Sequence, residues 1–147
     1  MKDFPDIHEW AGNTYRTILG TQETKGAMSI VDSTCPAGSG PPRHVHGRED
    51  EIFVNLSGEI EVWIEGESRT LGPGEAAFVP RGTEHTFRVI GNLPSRHLVI
   101  LTPGGFEGFF AEMARGRFAI PGDMPAIEES AARHSLRFTG PPLGAQA

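Results

Sequence analysis

EIFVNLSGEIEVWIEGESRTL, residues 51–71, alternates apolar and polar side chains along most of its length. Successive side chains on a strand point to opposite faces. Ile52, Val54 and Leu56 therefore share one side, and Glu51, Phe53 and Asn55 the other. Ser57-Gly58 and Glu65-Gly66 read as turns, which predicts a meander with Ile60, Val62 and Ile64 on one face. Upstream, strands are expected over about 14–21 and 27–34, with the polar QETKG as the turn between them. CPAGSGPPR, residues 35–43, is too rich in proline and glycine for a central strand and reads as a loop. Downstream come a short strand over 76–79, a Pro80-Arg81-Gly82 corner, and strands over about 86–90 and 96–101. Closely spaced short strands with polar turns predict a sandwich or barrel.

Beyond residue 103 the period changes. Phe106, Phe109, Phe110 and Met113 have helical spacing, and 125–135 reads as a second short helix with Asp123 as its cap. HSLRFTGPPL, residues 134–143, is expected to add a last strand or an extended tail. The 147 residues suit one domain, 1–147, with a barrel core over about 13–103 and a helical C-terminal extension over about 104–147.

Composition narrows the partners. The formal net charge is −6 and the basic residues are scattered, which gives nucleic-acid binding little support. No apolar run approaches the roughly 18–20 residues of a spanning helix, so no membrane role is expected. A single cysteine, Cys35, cannot form an internal disulfide, and a cytoplasmic setting fits that best. The N-terminus lacks the apolar stretch of a secretory signal, although a periplasmic mature form is the alternative left open. A small molecule is the expected partner.

Four side chains suited to metal binding fall in two clusters: HVHGREDE, residues 44–51, and PRGTEH, residues 80–85. His44 and His46 are one residue apart, so a strand projects both from one face. Glu51 opens the alternating run, and His85 opens a later strand. Imidazole nitrogens with one carboxylate suit one divalent transition metal (Fe, Mn, Co, Ni or Zn) and argue against an all-thiolate or an all-oxygen calcium site.

These residues carry a resemblance. The sequence resembles the cupin superfamily, whose first motif is G-x5-H-x-H-x4-E-x6-G and whose second is G-x5-P-x-G-x2-H-x3-N. Gly38, His44, His46, Glu51 and Gly58 fill the first; Gly74, Pro80, Gly82 and His85 fill the second, with Val89 in place of the final Asn. The resemblance covers about residues 13–103 and implies an all-β fold, a double-stranded β-helix or jelly-roll barrel, here with short C-terminal helices. It also implies that His44, His46, Glu51 and His85 bind the metal, and it leaves room for a homodimer through barrel edges.

A narrower likeness lies in PPRHVHGREDEIFVNLSGE, TPGGFEGFF and the late GPPL, which resemble quercetin 2,3-dioxygenase-type monocupins. That likeness implies a metal-dependent dioxygenase for an aromatic or enolic small molecule, with Glu51 as catalytic proton acceptor. The alternatives are a non-redox isomerase or lyase and a binding or sensing module without turnover. Phe53 is in phase with Glu51, and Phe87 with His85, so both are expected near the metal as the wall of a substrate pocket. Trp63 and Phe78 are expected in the barrel core, and Cys35 as a small buried hydrophobe. Glu49 is expected to be a solvated carboxylate rather than an alternative ligand. His8, His97 and His134 are expected to be ordinary surface or interface histidines. Phe106, Phe109 and Phe110 are expected to pack a helix onto the barrel, with a lid over its mouth as the alternative.

Overall fold

A computed structural model of the chain describes residues 6–144. Within that span eleven strands lie in two antiparallel sheets that face each other as a double-stranded β-helix. The first sheet takes β1 (Asp6–Trp10), β2 (Asn13–Leu19), β3 (Ser29–Cys35), β5 (Asp50–Ser57), β8 (Ala76–Val79) and β10 (Ser95–Thr102). Its strand order is β1-β2-β3-β10-β5-β8. The second takes β4 (Arg43–His46), β6 (Glu59–Ile64), β7 (Glu67–Leu71), β9 (His85–Ile90) and β11 (Leu136–Gly140), in the order β11-β4-β9-β6-β7. Three helices accompany them: α1 (Thr21–Thr24), α2 (Glu107–Gly116) and α3 (Met124–Arg133). Among the described residues no helix is long and apolar enough to cross a membrane.

Residues 51–71 adopt the expected strands, but not as a continuous meander. β5 and β6 belong to different sheets, so Ser57-Gly58 is a corner and not a hairpin. Gly58 has φ +72°, and a Cβ there would lie 2.5 Å from the Pro94 carbonyl oxygen. Positive φ and close backbone approach both demand glycine. Asn55 ties the corner, its Nδ2 donating to the carbonyls of Gly58 (2.8 Å) and Leu71 (3.1 Å). Glu65-Gly66 is the true hairpin: both residues have positive φ and Ile64 pairs with Glu67, as a two-residue turn requires.

Alternation determines what the barrel encloses. Phe53, Ile60, Val62, Leu71, Val79, Val89 and Leu101 all lie within 1% of full burial, so Val89 serves the core where the motif has Asn. Cys35 is buried, as expected. Two aromatic expectations fail on the same ground. Phe78 is 56% exposed, because β8 turns its neighbours Ala77 and Val79 inward. Trp63 lies outside Val62 and is half-buried beneath the Arg43 guanidinium, 4.7 Å from its ring.

Three local readings are amended. QETKG overlaps the single turn α1, which starts one residue earlier at Thr21 and is closed by Lys25 at φ +55°. β1 was not anticipated; it pairs with β2 across Ala11-Gly12, a hairpin with both turn residues at positive φ. Asp123 precedes α3, but its carboxylate accepts from the Ala119 N–H instead of capping α3. The C-terminal extension forms the two expected helices and the last strand. α2 packs against β1, with Trp10 and Phe109 edge-to-face at 5.8 Å. β11 pairs with β4, setting Leu136 opposite His46 and Phe138 opposite His44. The extension therefore closes the edge of the strand that carries two of the four ligand candidates.

Candidate metal centre

All four predicted ligand residues converge. One ligand atom from each of His44, His46, Glu51 and His85 lies within 4.8 Å of the others, and all four side chains are buried. β4 delivers His44 and His46 from one face, and β9 brings His85 directly opposite His44 in register. Glu51 comes from the other sheet, near the start of β5. Pro80-Arg81-Gly82 turns the chain ahead of β9, with Gly82 at φ +79° and its N–H donating to the His46 carbonyl at 2.8 Å.

Backbone carbonyls fix two of the rings. His44 Nδ1 donates to the Pro42 carbonyl at 2.8 Å and His85 Nδ1 to that of Thr83 at 2.9 Å. A carbonyl oxygen can only accept, so both rings carry hydrogen on Nδ1 and leave Nε2 as the coordinating atom. His85 Nε2 lies 2.7 Å from Glu51 Oε1, and His46 Nε2 lies 3.4 Å from the same oxygen. Ligands bound at about 2.1 Å on adjacent corners of a metal polyhedron sit about 3 Å apart, so these separations suit a shared ion. The residues fit a borderline divalent cation.

The electrostatics divide the set. Burial alone would raise the Glu51 carboxyl, but the charges of His46 and His85 and the hydrogen bond from His85 outweigh it, holding it at about 2. Burial lowers His85, yet the Glu51 charge and hydrogen bond leave it above its ordinary value. Burial, with repulsion from His85 and His46, lowers His44 to about 3 and keeps its imidazole neutral. Deprotonated carboxylate and neutral imidazole are the forms that bind a metal, so Glu51 and His44 are ready for it, and His85 gives up the proton it shares with Glu51 when an ion binds.

Glu49 departs from expectation: it is 3% exposed, with Oε1 3.3 Å from His46 Nδ1. It is neither solvated nor a member of the ligand set; it stands behind a ligand ring.

A cavity of about 130 Å³ opens beside the cluster, bordered by His44, His46 and Glu51. Phe53 and Phe87 line it, their rings 5.6 Å apart, with Phe53 6.3 Å from the His85 ring. Phe106 and Phe109 line it too, and Phe106 meets the His46 ring edge-on at 4.4 Å. The extension thus packs on the barrel and walls the cavity at once.

His97 is the principal residue that sequence reasoning missed. It is fully buried, borders the cavity, and lies 4.9 Å from Phe87 and 5.9 Å from Phe53. The available signal was its period-two phase with Val99 and Leu101, both inward. His134 is not a plain surface residue either: its Nε2 is hydrogen-bonded to Glu112 and its ring packs against Phe106 and Phe109. His8 is half-buried on β1, away from this site's lining.

Comparison with known proteins agrees with this architecture. The family model described as Cupin domain matches residues 32–101. The chain is 31% identical over 96 residues to a quercetin 2,3-dioxygenase of Bacillus subtilis (strain 168), a match spanning 65% of this chain and only 28% of that enzyme. It is 30% identical over 105 residues to the tetracenomycin polyketide synthase protein TcmJ of Streptomyces glaucescens, covering 70% of this chain and 69% of that protein. Among solved structures, KdgF from Halomonas sp. superposes with a TM-score of 0.63 at 25% identity, over 70% of this chain and 92% of that one. With its motif residues gathered inside a double-stranded β-helix, the chain belongs to the cupin superfamily.

Proposed function

We propose that the protein is a metal-dependent dioxygenase acting on an aromatic or enolic small molecule. The observation that carries this reading is a buried three-histidine, one-glutamate set opening on an aromatic-walled cavity. Relatives named quercetin 2,3-dioxygenase in two organisms and oxalate oxidase in barley support oxygen chemistry. When bound, the metal supplies Lewis acidity to substrate oxygens, and four protein ligands leave room for them on a five- or six-coordinate ion.

The chain's own residues do the rest. Phe53, Phe87 and Phe106 lay an apolar wall against a flat substrate and keep water from the reacting atoms. Glu51 Oε1 is the oxygen turned toward His85 and His46 in the ligand set, so Oε2 is the atom that takes the substrate's hydroxyl proton. The substrate O–H bond breaks as the carboxyl O–H forms. His85, held on the Thr83 carbonyl, points its Nε2 at the same place as Glu51 Oε1.

The test is oxygen uptake by the Mn, Fe, Co and Ni forms offered phenols, enediols and hydroxy-ketones. Uptake that matches substrate loss is expected with at least one pair, with Phe53→Trp raising KM at unchanged metal content. No uptake with any pair, while the same compounds still bind, would sink the dioxygenase reading. Product formed without oxygen would then identify an isomerase or lyase, and binding without product a sensing module.

A further inference from the structure

A row of polar side chains crosses the inner face of the six-stranded sheet. In register, Tyr15 of β2 faces Ser33 of β3, Ser33 faces His97 of β10, and His97 faces Asn55 of β5. Ser33, His97 and Asn55 are each no more than 1% exposed. Ser33 Oγ, both ring nitrogens of His97 and Asn55 Oδ1 make no hydrogen bond with the protein. Buried polar groups are nearly always paired, so an orphaned set across adjacent strands calls for a partner from outside the chain.

The neighbouring rows say where that partner lies. Two residues along the strands toward the ligand cluster, the inner face carries Val31, Val99 and Phe53; two further, it carries Leu101 and Glu51. Each step of two residues advances about 7 Å. The sheet therefore presents a charged row, an apolar row and an unpaired polar row in sequence. His97 and Ser33 border the same cavity as His44, His46 and Glu51, and Phe53 and Phe87 bridge the interval. The cavity, about 130 Å³, is close to the roughly 150 Å³ of an engineered cavity that takes up benzene. One ring fits, and a three-ring flavonol would leave most of itself outside.

We propose that His97, with Ser33 beside it, determines specificity at the far end of the substrate slot by hydrogen-bonding a hydroxyl or carbonyl on a single-ring oxygen chelator whose near-side oxygens lie at the Glu51 end. This rests on the reading of the site as a seat for an aromatic or enolic ligand. Burial outweighs the charges of Glu51 and Asp32 and lowers His97 to about 4, so its ring is neutral at physiological pH. A neutral imidazole offers one donor and one acceptor, which suits either a hydroxyl or a carbonyl.

The experiment compares two pyrones with the same chelating pair. Kojic acid carries a hydroxymethyl group opposite its chelating oxygens, and allomaltol carries a methyl there. Binding to the cobalt(II)-loaded protein is followed by calorimetry and by the cobalt visible spectrum. The wild type is expected to bind kojic acid about tenfold more tightly. His97→Phe or His97→Leu should cut that preference to within about twofold, with allomaltol affinity and cobalt content unchanged. In the wild-type zinc form, the His97 imidazole nitrogen resonances should move with kojic acid and stay in place with allomaltol, which needs no variant to fold. Equal binding of the two pyrones by the wild type overturns the role of His97 alone, as does a preference that survives in a folded variant or unmoved His97 resonances. If neither pyrone alters the cobalt spectrum, the chelation reading fails and this inference falls with it.

Discussion

His44 and His85 on one sheet and His97 on the other are all buried histidines, yet they are held differently. The first two each donate Nδ1 to a carbonyl two residues back, so the backbone fixes ring and tautomer together. His97 sits mid-strand, where neighbouring carbonyls belong to the ladder, and both its nitrogens lack protein partners. Anchored rings present a coordinating lone pair in a fixed direction. An unanchored neutral ring can turn to whatever enters the cavity. The difference separates residues that position an ion from one suited to read a ligand.

The largest effect should come from breaking the anchored set. His85→Ala removes a ligand and also the partner of Glu51, so metal affinity should fall by more than the 10–100-fold that losing a supporting hydrogen-bond partner costs. His97→Ala should leave metal content intact. Metal analysis of the two variants side by side checks this, and equal losses would erase the distinction.

Next in size is Glu51→Gln, which keeps shape and an oxygen ligand but loses basicity. Turnover should fall about 100-fold while metal content falls much less. Parallel losses would reduce Glu51 to a metal ligand.

The pH response of the metal-free protein sharpens the contrast from the other side. His97 is held near 4 in the folded chain and returns to about 6.5 on unfolding. The unfolded state therefore binds the extra proton. His97's contribution is fully present above pH 6.5 and is lost as pH falls toward 4. Between pH 7.5 and 5 that loss amounts to about 2 kcal/mol. Urea unfolding at both pH values should show His97→Phe losing about that much less than the wild type. Identical losses would mean that the folded chain does not keep His97 neutral.

The smallest expected effect concerns the third ring of the ligand set. His46 Nδ1 faces the buried Glu49 carboxylate at 3.3 Å where His44 and His85 have carbonyls. Glu49→Gln should weaken metal binding about tenfold through loss of that supporting charge. A competition titration against a chelator reads it. Unchanged affinity would leave Glu49 as a buried neighbour without influence on the ring.

Much of this molecule was legible in one dimension because its constraints are local. Period-two alternation put Phe53 and Glu51 on one face and His44 and His46 on another, two-residue turns demanded glycine, and the motif resemblance joined HVHGREDE to PRGTEH. Those constraints act within a few residues, so spacing alone carries them. What the sequence left undecided was which strands pair and what lies across from them. Ser57-Gly58 reads as a turn in either case; only the packing of Pro94 and Ser95 against Gly58 makes it a corner between sheets. Trp63 and Phe78 were misplaced because alternation tells which residues share a face without telling which face is inside. Glu49 and Phe106 took their places beside the ligands, and His97 its place along the cavity, through contacts with residues that lie near in space, in the cases of Phe106 and His97 dozens of positions away. Pairing between distant strands and the covering of β4 by β11 are fixed by the burial of the whole core. That free energy is shared among all the contacts at once, and no single stretch of chain records it.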